Sequence, residues 1–171
     1  PADAHRFEGG WYCIVYLSPR DYHRVHAPVS GPVTCVRHVG GTLLPVNAFG
    51  VASYPGLFAR NERVCVFQRG ERHGDVATVM VGAIGVGRIS VSFDPTIMTN
   101  VGRGPSTTRY QPDRGPQLAR GDELGRFHLG STAIVLTGPD HPLRNDVRGG
   151  ERVRMGRRLA TRIDDTAVGD R

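Results

Sequence analysis

Apolar residues in this chain come in short runs, never in long ones. Runs of four to eight residues recur at 11–17, 32–36, 63–67, 76–81, 89–93 and 133–137, rich in valine and isoleucine and closed by glycine, proline or polar clusters. That punctuation belongs to β-strands. No window of a dozen residues carries a helical period of apolar positions. The best local helix start is Ser18-Pro19-Arg20-Asp21, with serine as N-cap, proline in the first turn and an acid at the third position. It predicts a turn or two of helix. The pattern therefore predicts a mainly β fold, a compact sandwich or barrel with one or two short helices. The 171 residues are read as a single domain, 1–171. Residues 99–120, poor in large apolar side chains and rich in glycine and proline, predict a long surface loop. The polar residues from Thr161 onward predict a frayed end.

Composition narrows the chemistry. All 22 basic residues are arginine, so no lysine is present to form a Schiff base with pyridoxal phosphate or with a substrate. An enzyme of amines built from this chain needs a carbonyl from elsewhere. The net charge of +6 favours an anionic partner: nucleic acid, an anionic lipid surface or a phosphorylated substrate. Cys13, Cys35 and Cys65 are too few and too scattered for a disulfide framework and read as small core hydrophobes in a reducing compartment. No apolar run approaches the ~18–20 residues that span a bilayer, and the start of the chain lacks a signal-peptide pattern.

Two segments can carry chemistry. In Gly130-Ser131 the serine hydroxyl can attack the preceding glycine carbonyl, shifting the acyl group from nitrogen to oxygen. Elimination of that ester cuts the chain and leaves a dehydroalanine, which hydrolyses to a pyruvoyl group. Ordinarily a Gly-Ser-Thr triplet is only a turn. It is not the nucleophile elbow of a hydrolase, because Ala133 stands where the second glycine belongs. The second segment is Tyr22-His23-Arg24-Val25-His26. On a helical turn started by Ser18, His23 and His26 fall three apart on one face. Paired imidazoles suit proton transfer near neutral pH. They also suit zinc, but no cysteine or carboxylate cluster stands at ligand spacing, so no metal is expected. Two structural histidines remain the plain alternative.

The two segments stand among further blocks. Tyr16-Leu17-Ser18-Pro19-Arg20-Asp21-Tyr22-His23-Arg24-Val25-His26-Ala27-Pro28 resembles the signature of phosphatidylserine decarboxylases. Gly41-Thr42-Leu43-Leu44-Pro45-Val46-Asn47, Leu57-Phe58-Ala59-Arg60-Asn61-Glu62-Arg63 and the glycine-containing segment 81–89 follow in that family's order. Gly121-Asp122-Glu123-Leu124-Gly125-Arg126-Phe127-His128-Leu129-Gly130-Ser131-Thr132 resembles its self-cleavage site. The likeness runs from about Phe7 to about Ala160 and weakens between Asp94 and Ala119.

The resemblance implies a precursor that cuts itself at Gly130-Ser131 into a β chain, 1–130, and an α chain, 131–171, whose first residue becomes a covalent pyruvoyl cofactor. It implies that Ser131 is the nucleophile and pyruvoyl precursor, His26 the base for self-cleavage, and His23 the acid/base of decarboxylation. No pyridoxal phosphate and no metal are needed. The implied activity is conversion of phosphatidylserine to phosphatidylethanolamine, in phospholipid biosynthesis. The implied fold is β-rich and related to barrel-sandwich hybrids. The implied setting is peripheral on the cytoplasmic side of the cell membrane, against anionic phospholipid, as a homodimer of αβ units.

One departure stands out. The family orients its base histidine with an aspartate several tens of residues upstream, whereas only some twenty residues precede His23 here. Pro1-Ala2-Asp3-Ala4 echoes that segment at the wrong spacing, so the role is not carried to Asp3. Losing the acid of a Ser-His-Asp set costs about four orders of magnitude in rate, and the expectation is slow or absent processing of this chain. Three other readings stay open: a decarboxylase of a soluble amino acid, with the short form soluble; an inactive lipid-binding paralogue; and a basic β-barrel that binds nucleic acid. Arginine-rich stretches such as 149–158 hold no ring on which a base could stack, and nucleic acid is not expected as a partner.

Overall fold

The computed structural model describes residues 3–85, 88–101, 104–111, 113–128 and 131–164. Its framework is an antiparallel sheet built from β1 (Trp11–Leu17), β3 (Gly31–Val39), β4 (Arg63–Gly70), β5 (Gly74–Val81), β7 (Ser106–Arg109) and β10 (Ser131–Thr137) in the order β1-β10-β5-β4-β3-β7, with β8 (Gln117–Leu118) also paired to β3. A second antiparallel sheet orders β2 (Arg24–His26), β9 (Glu123–Phe127) and β6 (Ile89–Val91) as β2-β9-β6. The hairpin of β11 (Leu143–Asn145) and β12 (Ala160–Arg162) completes the described strands.

The two larger sheets share one core. Val33, Val36, Val64, Val66 and Met80 from the first sheet form a single buried cluster with Val25, Leu124, Phe127, Ile89 and Val91 from the second. Burying each such side chain is worth about 2 kcal/mol. Closeness of the sheets needs a small residue at Gly125, where a Cβ would lie 2.5 Å from the Ser90 carbonyl and 3.1 Å from Met80 Sδ.

The expected mainly β architecture is present, and each of the six apolar runs coincides with or overlaps a strand. Helices form elsewhere than expected. α1 (Ala48–Ser53) starts where the Asn47 side chain accepts from the Gly50 N–H at 3.0 Å, and α2 (Leu57–Arg60) follows Gly56, whose left-handed φ of 68° glycine adopts without strain. Ser18–Asp21 is not helical. The Asp21 carboxylate turns back onto the Ser18 N–H and hydroxyl, and the Asp21 N–H onto the Ser18 carbonyl, closing a single turn that feeds into β2. His23 and His26 consequently sit at the entry and the end of a strand rather than on one helical face. Residues 99–120 are not one loop: β7 pairs with β3 opposite residues 35–38, and β8 pairs with its start. Thr161 and Arg162 are ordered in β12. The three cysteines are free and half-buried rather than fully in the core; burial pushes the Cys65 thiol up to about 11.

Candidate active site

Ser131 opens β10, which is held on both sides. Its Cα partner across β1 is Leu17, and from Thr132 onward the strand also pairs with β5. The side chain is fully buried, and its hydroxyl has no hydrogen-bond partner among the described residues. An orphaned buried hydroxyl costs about 1–3 kcal/mol, a penalty that a purely structural position would shed by becoming alanine. Gly130, the other half of the expected cleavage site, lies outside the described residues.

β1 ends opposite Ser131, and the turn of residues 18–21 begins there, bringing the histidine segment to the same end of the sheet. His23 Nε2 lies 3.2 Å from the Pro19 carbonyl oxygen. A carbonyl only accepts, so Nε2 carries the hydrogen. Nδ1 of the same ring is then a bare lone pair, buried and without a partner among the described residues.

His26 is held the other way round. A β-bulge between Val25 and His26 shifts the pairing of β2 with β9. His26 Nδ1 donates to the Gly121 carbonyl at 2.7 Å, so the neutral ring presents Nε2 as acceptor, and the Tyr22 hydroxyl donates to it at 2.7 Å. The two rings stack with centroids 5.7 Å apart, and the Arg24 guanidinium lies 5.0 Å from the centre of the Tyr22 ring. Asp3 takes no part: its carboxylate pairs with Arg37 at 2.5 Å and lies 3.8 Å from Arg6. His128, near the end of β9, meets the Ser90 hydroxyl at 3.1 Å; burial, then Arg88 and Arg126, lower its pKa and favour the neutral ring.

The structure thus leads the chain from the end of β1, opposite Ser131, through a single turn into the short strand that ends at His26, instead of along a helix. Sequence reasoning missed Tyr22 as a partner of His26, and the Pro19 and Gly121 carbonyls, which no side-chain pattern reveals. It also missed a buried polar network behind the sheet. There Glu62 bonds His38 Nε2 at 2.8 Å and receives Asn100 Nδ2 at 2.6 Å, next to a fully buried Asn61. No cluster of three or more metal-ligating side chains occurs among the described residues.

Comparison with known proteins gives this arrangement a family. A family model described as phosphatidylserine decarboxylase matches residues 1–161. A phosphatidylserine decarboxylase proenzyme of Bordetella avium is 46% identical over 168 residues, covering 92% of this chain and 54% of that protein. One of Alkalilimnicola ehrlichii is 46% identical over 134 residues, 78% of this chain and 46% of its own length. One of Brevibacillus brevis is 40% identical over 162 residues, 94% of this chain and 57% of that protein. The chain spans about half the length of these curated relatives. Its own residues and these matches agree: the chain belongs to the phosphatidylserine decarboxylase family.

Proposed function

We propose that the chain carries the reacting residues of a pyruvoyl-dependent decarboxylase that converts phosphatidylserine to phosphatidylethanolamine after cutting itself between Gly130 and Ser131. The observation that supports this best is the Ser131 hydroxyl, buried without a partner among the described residues at the head of β10, opposite the end of β1 from which the chain runs on to the histidine segment. A group of that size and polarity fits conversion in place to a pyruvoyl, which when formed supplies a ketone to capture the substrate amine and accept the electrons left as carbon dioxide departs.

The chain's own residues divide the remaining work. For self-cleavage, His26 takes the Ser131 proton at Nε2, the acceptor nitrogen once Nδ1–H is bound to the Gly121 carbonyl, and the Tyr22 hydroxyl that donates to this lone pair gives way to the serine. A neutral carbonyl fixes this tautomer but stabilises the resulting imidazolium less than a carboxylate would. Cleavage by the chain is therefore slow. For decarboxylation, His23 supplies the proton. The substrate is the lipid at an anionic membrane surface, met peripherally from the cytoplasmic side. Among the described residues no helix is long and apolar enough to cross a membrane. The unit is a homodimer of cut chains, each an α and a β piece from one precursor.

Intact mass followed during incubation tests the reading. The expected outcome is slow appearance of fragments 1–130 and 131–171, the latter carrying a carbonyl that borohydride reduces, with Ser131→Ala remaining whole. A cut in Ser131→Ala, or fragments without a carbonyl, overturns it. Carbon dioxide released from phosphatidylserine vesicles by the cut protein, and not from free serine, identifies the lipid as substrate.

A further inference from the structure

We propose that the proton delivered in decarboxylation passes through Nδ1 of His23, and that Asp21 is the positioning residue that holds this ring. The inference rests on the decarboxylase reading above and adds to it an atom and a residue.

Four contacts carry it. The Asp21 Oδ2 accepts from both the Ser18 N–H and the Ser18 hydroxyl at 2.8 Å, and the Asp21 N–H donates to the Ser18 carbonyl at 2.9 Å. These bonds close the turn that aims the Pro19 carbonyl at His23 Nε2, 3.2 Å away. With Nε2–H so committed, only Nδ1 can exchange a proton without giving up the ring's bond to the Pro19 carbonyl. That atom is withdrawn from solvent and meets no partner among the described residues. A buried lone pair without a donor is costly as structure and useful as chemistry. The turn itself begins one residue after Leu17, the Cα partner of Ser131, so the ring is anchored at the strand end where the reacting group sits. Asp21 acts through the turn, since its carboxylate contacts Ser18, with Arg152 3.6 Å from its other oxygen.

The step balances simply. The bond from the α-carbon to the carboxylate breaks, and its electron pair stays with the substrate while neutral carbon dioxide leaves. That pair then takes the proton from Nδ1 of the doubly protonated ring, forming the new C–H bond. The ring returns to its neutral Nε2–H form and takes one proton from solvent for the next cycle.

Two measurements test this. Long-range proton–nitrogen correlation spectra of the protein labelled in its histidine rings, assigned with His23→Gln, are expected to show the neutral His23 ring protonated at Nε2. A ring protonated at Nδ1 overturns the proposal without reference to activity. In parallel, Asp21→Ala is expected to cut as wild type does, while kcat falls at least tenfold and KM stays within twofold. Asp21→Asn, whose amide oxygen still accepts from Ser18, restores most of kcat. An unchanged kcat in Asp21→Ala, or a loss confined to KM, overturns the role of Asp21. Wild-type protein that is cut yet releases no carbon dioxide overturns the functional reading itself, and this proposal falls with it. Active wild type with the other tautomer overturns this proposal alone.

Discussion

Asn61 shows how much a single side chain settles in this molecule. It is fully buried, and its amide uses every group it has: Oδ1 accepts from the Thr42 hydroxyl and the Leu44 N–H, while Nδ2 donates to the Leu44 and Gly82 carbonyls. It therefore ties the segment around 42–44 to the end of β5, the strand paired with β10 next to Ser131. Asn61→Ala strands three main-chain groups at once, and is expected to cost about 3 kcal/mol. A urea titration checks this as a lower midpoint at unchanged slope. The proposed reacting groups, Ser131, His23 and His26, were picked out in the sequence because they sit in recognisable blocks. Their tautomers were not. Those depend on the carbonyls of Pro19 and Gly121, and every residue has a carbonyl. Tyr22 was visible as a letter but not as a donor, since its reach to His26 needs β2 to be a strand with a bulge.

Between elements, charge does what the apolar pattern leaves undone. The short 3-10 turn Ala4–Phe7 is joined to the start of β5 by Arg6, whose Nε–H donates to Asp75 Oδ2 at 2.8 Å while Nη2 lies 2.7 Å from Oδ1. Phe7 packs against Phe67 of β4 beside it, ring centroids 6.2 Å apart. The Arg6 hydrogen bond holds the Asp75 pKa below the usual carboxylate range, against the opposing effect of burial. A lowered carboxyl pKa in the folded state adds stability above the unfolded value of about 4 and loses it as pH falls through the folded one. Wild type is therefore expected to be more stable than Asp75→Asn by a constant margin above about pH 5. The two should converge on acidification below about pH 4. Denaturation midpoints across that range measure it; a margin that grows on acidification contradicts the assignment. The strands themselves were readable because burial on a sheet prints itself as short valine-rich runs. α1 and α2 were not, because six and four residues are too few to show a period, and their starts rest on one side-chain cap and one left-handed glycine. β7 was hidden because Ser106–Arg109 is polar, an exposed edge joined to β3 through main-chain bonds.

At the scale of the whole molecule, the position of β10 matters most. It lies between β1 and β5, paired along its length with both, and its first residue is Ser131. A cut before Ser131 falls at the end of these ladders and breaks none of them. Fragments 1–130 and 131–171 are therefore expected to elute together from a native sizing column and to separate only in denaturant. Separate elution would mean that the ladders do not outlast the cut. Sequence alone suggested a scission point but not the place of β10 in the sheet, since pairing of residues 131–137 with both 11–17 and 76–81 is set by packing over long separations that no local pattern encodes.

With the proposed cut, that arrangement would make maturation a single-use event. Before scission, a molecule that loses its shape regains it by a first-order process within one covalent thread. Afterwards the same strand must be found by collision with a separate polymer, at a speed that depends on concentration. A ripe molecule, once melted at cellular dilution, has small prospect of recovery, so its lifetime is governed by how slowly it opens and not by how readily it closes.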